Sequence, residues 1–377
     1  MRFTADCAPC LMRRVLFQSR LEGGGSEFEA VKAAAEVLAE RMDPDKDSVG
    51  IATEVHRRAY EAIRSKDPYL DIKKRADEAA EPFAKALGEM VDSSDDPLRM
   101  AIMGAVAGNI MDFGAGSAID DPDMFPAVYD SIVAEGLGID DIGELESILE
   151  EVPGVVYMFD NCGESRMDMV LIALLRRMGK RVVGVVRGAP ILNDVTEEDA
   201  VRIGLDRAVD RLLSTGKFYV GIDWDDVPGN LAEEIAGCGL IIAKGMANYE
   251  ATSGRRLDVP IVHILRSKCG PVARSLGVPQ NVNVVKVIRP RGIQHERQTS
   301  RRHGRREGHE APSAHRDQTQ DHPSRSRPSL PLVSPEVPGD GRHQEGHPGM
   351  RLQVGAHEAH HRRRLRPRSE HRVLLRG

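Results

Sequence analysis

Three short polar motifs follow three apolar runs, and their residue types suit a metal site that handles an anion. Asp160-Asn161 closes the run 155–159. Asn193-Asp194 lies just beyond the run 182–188, and Lys244-Gly245-Met246-Ala247-Asn248-Tyr249-Glu250 follows the run 240–243. Two carboxylates and an amide carbonyl suit a hard cation, and a lysine suits an anionic group such as phosphate. Each run is short, apolar and partly β-branched, as a strand buried on both faces of a parallel sheet should be. In an open α/β sheet ligands collect outside the carboxyl ends of the strands.

Taken singly, each motif has an ordinary reading. Asp-Asn-X-Gly is good turn chemistry, and Gly163 permits a sharp turn. As part of a site, Asp160 and Asn161 would approach one cation, and Glu164 would accept hydrogen bonds from substrate hydroxyls or a water. Arg187 is either a phosphate ligand or a solvated strand end. Asp194 is either a helix-entry residue or a metal ligand, ahead of a helix whose free amides attract anions. Lys244 would neutralise a phosphoryl group, Gly245 would let the backbone approach a ligand, and Asn248 and Glu250 would orient a sugar or a water. Gly108-Asn109 closes a helical stretch in the first half, and Asn109 is the contact expected from there. Cys7-Ala8-Pro9-Cys10 supplies half of a structural zinc site, so we expect two thiols.

The elements that must position these residues follow from pattern. Residues 1–150 read as a helical region packing on the second half, with helices near 10–17, 29–42, 49–65, 72–90 and 98–110. From 151 to 288 strands alternate with helices, implying a largely parallel sheet with helices on its faces, a Rossmann-like three-layer α/β/α domain. Ser165-Arg166-Met167-Asp168 resembles a capping box for a helix ending at Gly179. Thr196-Glu197-Glu198-Asp199 does the same for a helix ending near Leu213. Further strands are expected at 218–222, 261–265 and 284–288.

Charge divides the chain. Residues 289–377 hold 19 Arg, no Lys and 10 Asp plus Glu, whereas the rest holds 33 basic and 48 acidic residues. The body is therefore acidic, about −15, and no nucleic-acid partner is expected for it. The tail is rich in Arg, His, Pro, Ser and Gly, lacks aromatic residues and is expected to be disordered. It reads either as a basic disordered arm that binds nucleic acid or acidic surfaces or, as we prefer, as out-of-frame translation of a GC-rich gene. Resequencing the locus distinguishes them. No run of about 18 apolar residues exists, so no membrane span is expected. Without a long apolar signal core, and with five sparse cysteines, a cytoplasmic location is expected.

The set Gly108-Asn109, Asp160-Asn161-X-Gly163-Glu164, Arg187-Gly188-X-Pro190-X-X-Asn193-Asp194-Val195-Thr196 and Lys244-Gly245-X-X-Asn248-Tyr249-Glu250, in this order, resembles the damage-control phosphatase family. That family was long known as a domain of unknown function and is also called the acidic-residue methyltransferase-like metal-binding domain. Asp6-Cys7-X-X-Cys10 is similar to its prokaryotic, mainly archaeal, branch. The resemblance covers roughly 1–288, and the family's chains would end near Ile288. It implies a divalent metal (Mn, Co, Ni or Mg) held by Asp160, Asn161 and Asp194. It implies hydrolysis of small phosphometabolites, including sugar phosphates, with Glu164, Arg187, Lys244 and Asn109 as substrate contacts. Asp194 or Glu164 would assist proton transfer, and either a water or Asp160 would attack the phosphorus. Two other classes stay open. One is an S-adenosylmethionine-dependent carboxyl methyltransferase, weakened by the lack of a G-x-G-x-x-G loop. The other is a non-catalytic metal- or metabolite-binding protein.

Overall fold

The apolar runs become the centre of a seven-stranded sheet. A computed structural model of the chain describes residues 1–114 and 119–290. The strands are β1 (Ile139–Asp140), β2 (Gly154–Met158), β3 (Arg181–Val186), β4 (Arg211–Ser214), β5 (Leu240–Lys244), β6 (Ile261–Arg266) and β7 (Asn283–Ile288). Their order is β1-β7-β6-β5-β2-β3-β4, all parallel to their neighbours except the antiparallel β6–β7 pair. Every residue of β5 and β6, and all of β2 after Gly154, is buried, as continuous apolar runs in a covered parallel sheet should be. The α/β class expected from alternating strands and helices holds. The expected tail lies outside the described residues, apart from Arg289 and Pro290.

Helices α1 (Cys7–Leu21), α2 (Glu27–Arg41), α3 (Ser48–Ile63), α4 (Leu70–Ser93), α5 (Pro97–Gly108) and α6 (Phe125–Ala134) precede the sheet. Then come α7 (Ile142–Glu151), α8 (Glu164–Arg177), α9 (Glu197–Ile203), α10 (Leu205–Ala208), α11 (Gly229–Gly237), α12 (Gly245–Thr252) and α13 (Gly270–Leu276). Helix α5 is apolar nearly all round, and its residues 104–108 are all buried, the mark of a helix inside the core. It therefore delivers Asn109 to the interior. The two halves are tied by buried charges. On α4, Asp77 accepts from the Gly163 amide at 2.7 Å, and Lys73 pairs with Asp67 and Asp199, each at 3.0 Å.

Four local expectations are corrected. The Thr196–Asp199 capping box forms, but its helix ends at Ile203 because Gly204 turns left-handed (φ 81°). Residues 211–214 are then an edge strand, β4, not helix. The run 218–222 is not a strand. Its apolar side chains pack on α3 instead: the Phe218 ring meets Tyr60 edge-on at 5.5 Å, and the Val220 amide donates to Thr53 Oγ1. Nor do Ser165 and Asp168 cap α8. The helix begins at Glu164, two residues before a Ser165 cap would start it, and follows Gly163 (φ 80°). Asp168 is drawn into the core by Lys244 and by the Tyr157 hydroxyl, which donates to it at 2.8 Å. A buried cation outcompetes a terminal amide for a carboxylate, because the charge-assisted pair is the stronger bond. The stretch read as helical also holds a short strand, β1, paired with β7.

Candidate active site

Strand β2 lies between β3 and β5, so the strand order reverses beside it, and the loops after β2 and β5 meet at that switch point. Backbone pairing sets the loops against each other. Asn161 and Asp194 form an isolated antiparallel bridge, the Val195 amide donates to Asp160 O at 2.9 Å, and the Cys162 amide donates to Asn193 O at 2.8 Å. The side chains of Asp160, Asn161 and Asp194 thus come together although 33 residues separate the motifs.

Arg187 stands behind them, 1% exposed. Its Nε donates to Asp194 Oδ2 at 2.6 Å, Nη2 to Asp160 Oδ1 at 3.3 Å and Nη1 to Asn248 Oδ1 at 3.1 Å. Asn248 in turn donates to the carbonyls of Phe159 and Lys244. Asn109 Nδ2 donates to Glu164 at 2.8 Å and Asp160 at 3.3 Å, while its Oδ1 accepts from the Arg266 amide. Lys244 is fully buried. It donates to Ala105 O at 3.0 Å and pairs with Asp168 at 2.7 Å and with Glu164. Those carboxylates outweigh its desolvation and raise it to about 12.

A cavity of about 120 Å³ opens over this cluster. Of the residues expected at the site, Asp160, Asn161, Asp194 and Glu250 line it. Asn109, Glu164, Arg187, Lys244 and Asn248 do not; they form the buried layer that orients the lining. Glu250 accepts from Ser48 Oγ at 2.7 Å, and burial raises its carboxyl. Sequence reasoning missed Lys268, Arg14 and His56, which also line the cavity. Lys268 donates to Asn109 O at 2.7 Å and pairs with Asp112 at 2.9 Å, and Asp112 pairs with Arg14 at 2.9 Å. Burial pushes the Asp112 carboxyl up, but Arg14 and Lys268 outweigh it and hold it at about 2. Lys268 had a signal, since it follows the carboxyl end of an expected strand. Arg14 and His56 sit on α1 and α3, and nothing in their local sequence marks them.

The electrostatics favour a cation. Burial, Asp194 and Glu164 hold the Asp160 carboxyl well above the usual carboxylate range, with Arg187 and Lys268 opposing. Burial also raises Asp194. The two carboxylates share one guanidinium, so a positive charge in the cavity would relieve both. Asn161 Oδ1 and Asp194 Oδ1 have no hydrogen bond among the described residues. These hard oxygen donors fit a divalent cation. Among the described residues no group of three or more His, Cys, Asp or Glu is arranged to hold a metal; the oxygens at this place come from two carboxylates and one amide. Cys7, Cys10 and Cys269 line the cavity as free thiols, and burial raises Cys269 to about 12.

The model of the damage-control phosphatase ARMT1-like domain matches residues 3–284. The chain belongs to the damage-control phosphatase family. It is 36% identical over 291 residues to a damage-control phosphatase of Archaeoglobus fulgidus, covering 76% of this chain and 100% of that one. It is 26% identical over 287 residues to another from Pyrococcus horikoshii, covering 75% and 97%. The crystal structure of a DUF89 family protein from Pyrococcus horikoshii superposes with a TM-score of 0.67 at 25% identity, covering 76% of this chain and 98% of that one. The motif set that resembled the family thus lies within the matched residues. No helix among the described residues is long and apolar enough to cross a membrane.

Proposed function

We propose that this protein is a metal-dependent phosphatase that hydrolyses small phosphorylated metabolites, sugar phosphates or damaged phosphometabolites. The observation that carries the reading is the meeting of Asp160, Asn161 and Asp194 on one cavity wall with Lys268 beside them, in a chain of this family. Asp160, Asn161 and Asp194 would hold a divalent cation, Mn, Co, Ni or Mg. When bound, that ion supplies Lewis-acid polarisation of a phosphoryl oxygen and offsets charge that develops as the ester bond breaks. Lys268, fixed by Asp112 and Asn109 O, presents the cationic head that meets the remaining phosphoryl oxygens. Arg187 and Asn109 act through the carboxylates they orient. Asp194, raised by burial, is the group at the wall that would hold a proton and release it as the cavity fills.

The first test strips metal from the intact chain and follows phosphate release from a sugar-phosphate panel. Release is expected only when Mn, Co, Ni or Mg is restored. Metal binding with no release on any ester would replace this reading with that of a binding protein. A second test uses Gly245. Its φ is +73°, and a Cβ there would lie 1.7 Å from Asp160 Oδ2. Gly245→Ala must therefore push Asp160 aside and also strain the backbone by about 1–2 kcal/mol. We expect Mn affinity, measured by titration calorimetry, to fall at least about tenfold while the variant still folds. Unchanged affinity would separate Asp160 from the metal.

A further inference from the structure

The cavity has a second polar wall that the phosphoryl chemistry leaves unused. Arg14 is 9% exposed, lines the cavity, and gives only Nη2 to Asp112; its Nη1 is buried without a partner. His56 is 1% exposed and lines the same cavity. Its Nδ1 lies 3.0 Å from Gln18 Oε1, which only accepts, so Nδ1 carries the proton and Nε2 is a bare acceptor. Nε2 has no hydrogen bond among the described residues. Burial and the neighbouring Arg14 charge hold the ring neutral, at about 3. Buried polar groups in native structures are paired unless a water or ligand serves them. Here an unpaired donor and an unpaired acceptor belong to two residues that line one cavity, and the Asp112 carboxylate joins Arg14 to Lys268, at 2.9 Å on each side.

We propose that Arg14 and His56 form the subsite that reads the organic part of the substrate. His56 Nε2 accepts from a hydroxyl or N–H of the substrate, and the Arg14 guanidinium, turned so that the closed-off Nη1 meets the cavity, donates to a carbonyl or hydroxyl oxygen of the same molecule. The ligand class is a small phosphomonoester whose organic part carries such groups, not a bare alkyl ester. The assignment rests on the phosphatase reading for its orientation, with the phosphoryl end at Asp160, Asp194 and Lys268. A site with unpaired polar groups rejects analogues that cannot pair them, which is how such walls give specificity.

The test compares glycerol 1-phosphate with propyl phosphate, equal in chain length but differing in two hydroxyls, on the full metal-loaded chain. We expect wild type to favour glycerol 1-phosphate by about tenfold or more in kcat/KM. The ratio should collapse toward one in His56→Leu and recover in part in His56→Gln, which restores an acceptor. A wild-type ratio near one, or a ratio preserved in His56→Leu, would overturn the proposal. If His56→Leu does not fold, Arg14→Lys supplies the same ratio with the same two outcomes. If neither of these esters nor any ester of the sugar-phosphate panel is cleaved, the phosphatase reading fails by itself. The subsite is then judged by the calorimetric binding ratio of the two esters, read the same way.

Discussion

Replacing Asp160 with Ala is expected to lower metal-dependent phosphate release on the order of 10³-fold while leaving the metal-free protein at least as stable as before. The two effects have one cause. Burial, with Asp194 and Glu164 beside it, raises the Asp160 carboxyl well above the usual range. A carboxyl whose folded value is raised costs stability above that value, and the cost fades as the pH falls through it. Removing it relieves that cost most at pH 8 and least at pH 5. Its partners keep other bonds, and only Arg187 Nη2 loses its acceptor, a long one at 3.3 Å. Arg187 keeps Asp194 and Asn248, and the amides of Asn109 and Asn161 keep Glu164. Phosphate release and thermal unfolding in chelator, at pH 5 and pH 8, read both effects. Full activity in the variant would refute the site, and a marked loss of metal-free stability at pH 8 would refute the strain argument.

Lys244→Met should behave in the opposite way, with a large loss of stability. The ammonium is 0% exposed and serves Glu164, Asp168 and the Ala105 carbonyl together. Without it two carboxylates face each other in a dry interior, and breaking such a buried set costs about 3–5 kcal/mol. Burial already raises Asp168 to about 7, and losing Lys244 raises it further. Protonation then relieves the variant at low pH, so its deficit should be larger at pH 8 than at pH 5.5 in urea denaturation. A lysine that only touched substrate would instead raise KM and leave the unfolding curve unchanged. That outcome would place Lys244 at the cavity and not behind it.

The site was legible where its information is local. Strands buried on both faces are continuous apolar runs, so β2, β3, β5 and β6 stood out, and the residues after β2 and β5 were found as their endings. The Thr196–Asp199 box was also legible, because a cap is an interaction between residues three apart. The run 218–222 misled for the same reason that β2 did not. Alternating apolar side chains fit a helix surface as well as a sheet, and here α3 was the nearer partner. Asp168 misled because a core cation competes with the helix end for the same carboxylate.

From the chain alone one could read the fold class, the motif set and the oxygen chemistry of Asp160, Asn161 and Asp194, since each depends on residue type and short spacing. The tertiary structure decided which polar residues face the cavity. It turned Lys244, Glu164, Asn109, Arg187 and Asn248 inward as the layer that orients the lining, and it brought Arg14, His56 and Lys268 to the wall. Those placements follow from hydrogen bonds and burial between residues far apart in sequence, Lys244 to the Ala105 carbonyl across 139 positions and Lys268 to the Asn109 carbonyl across 159. A charge in a low-dielectric interior goes where its partners are, and only the packed chain sets where that is.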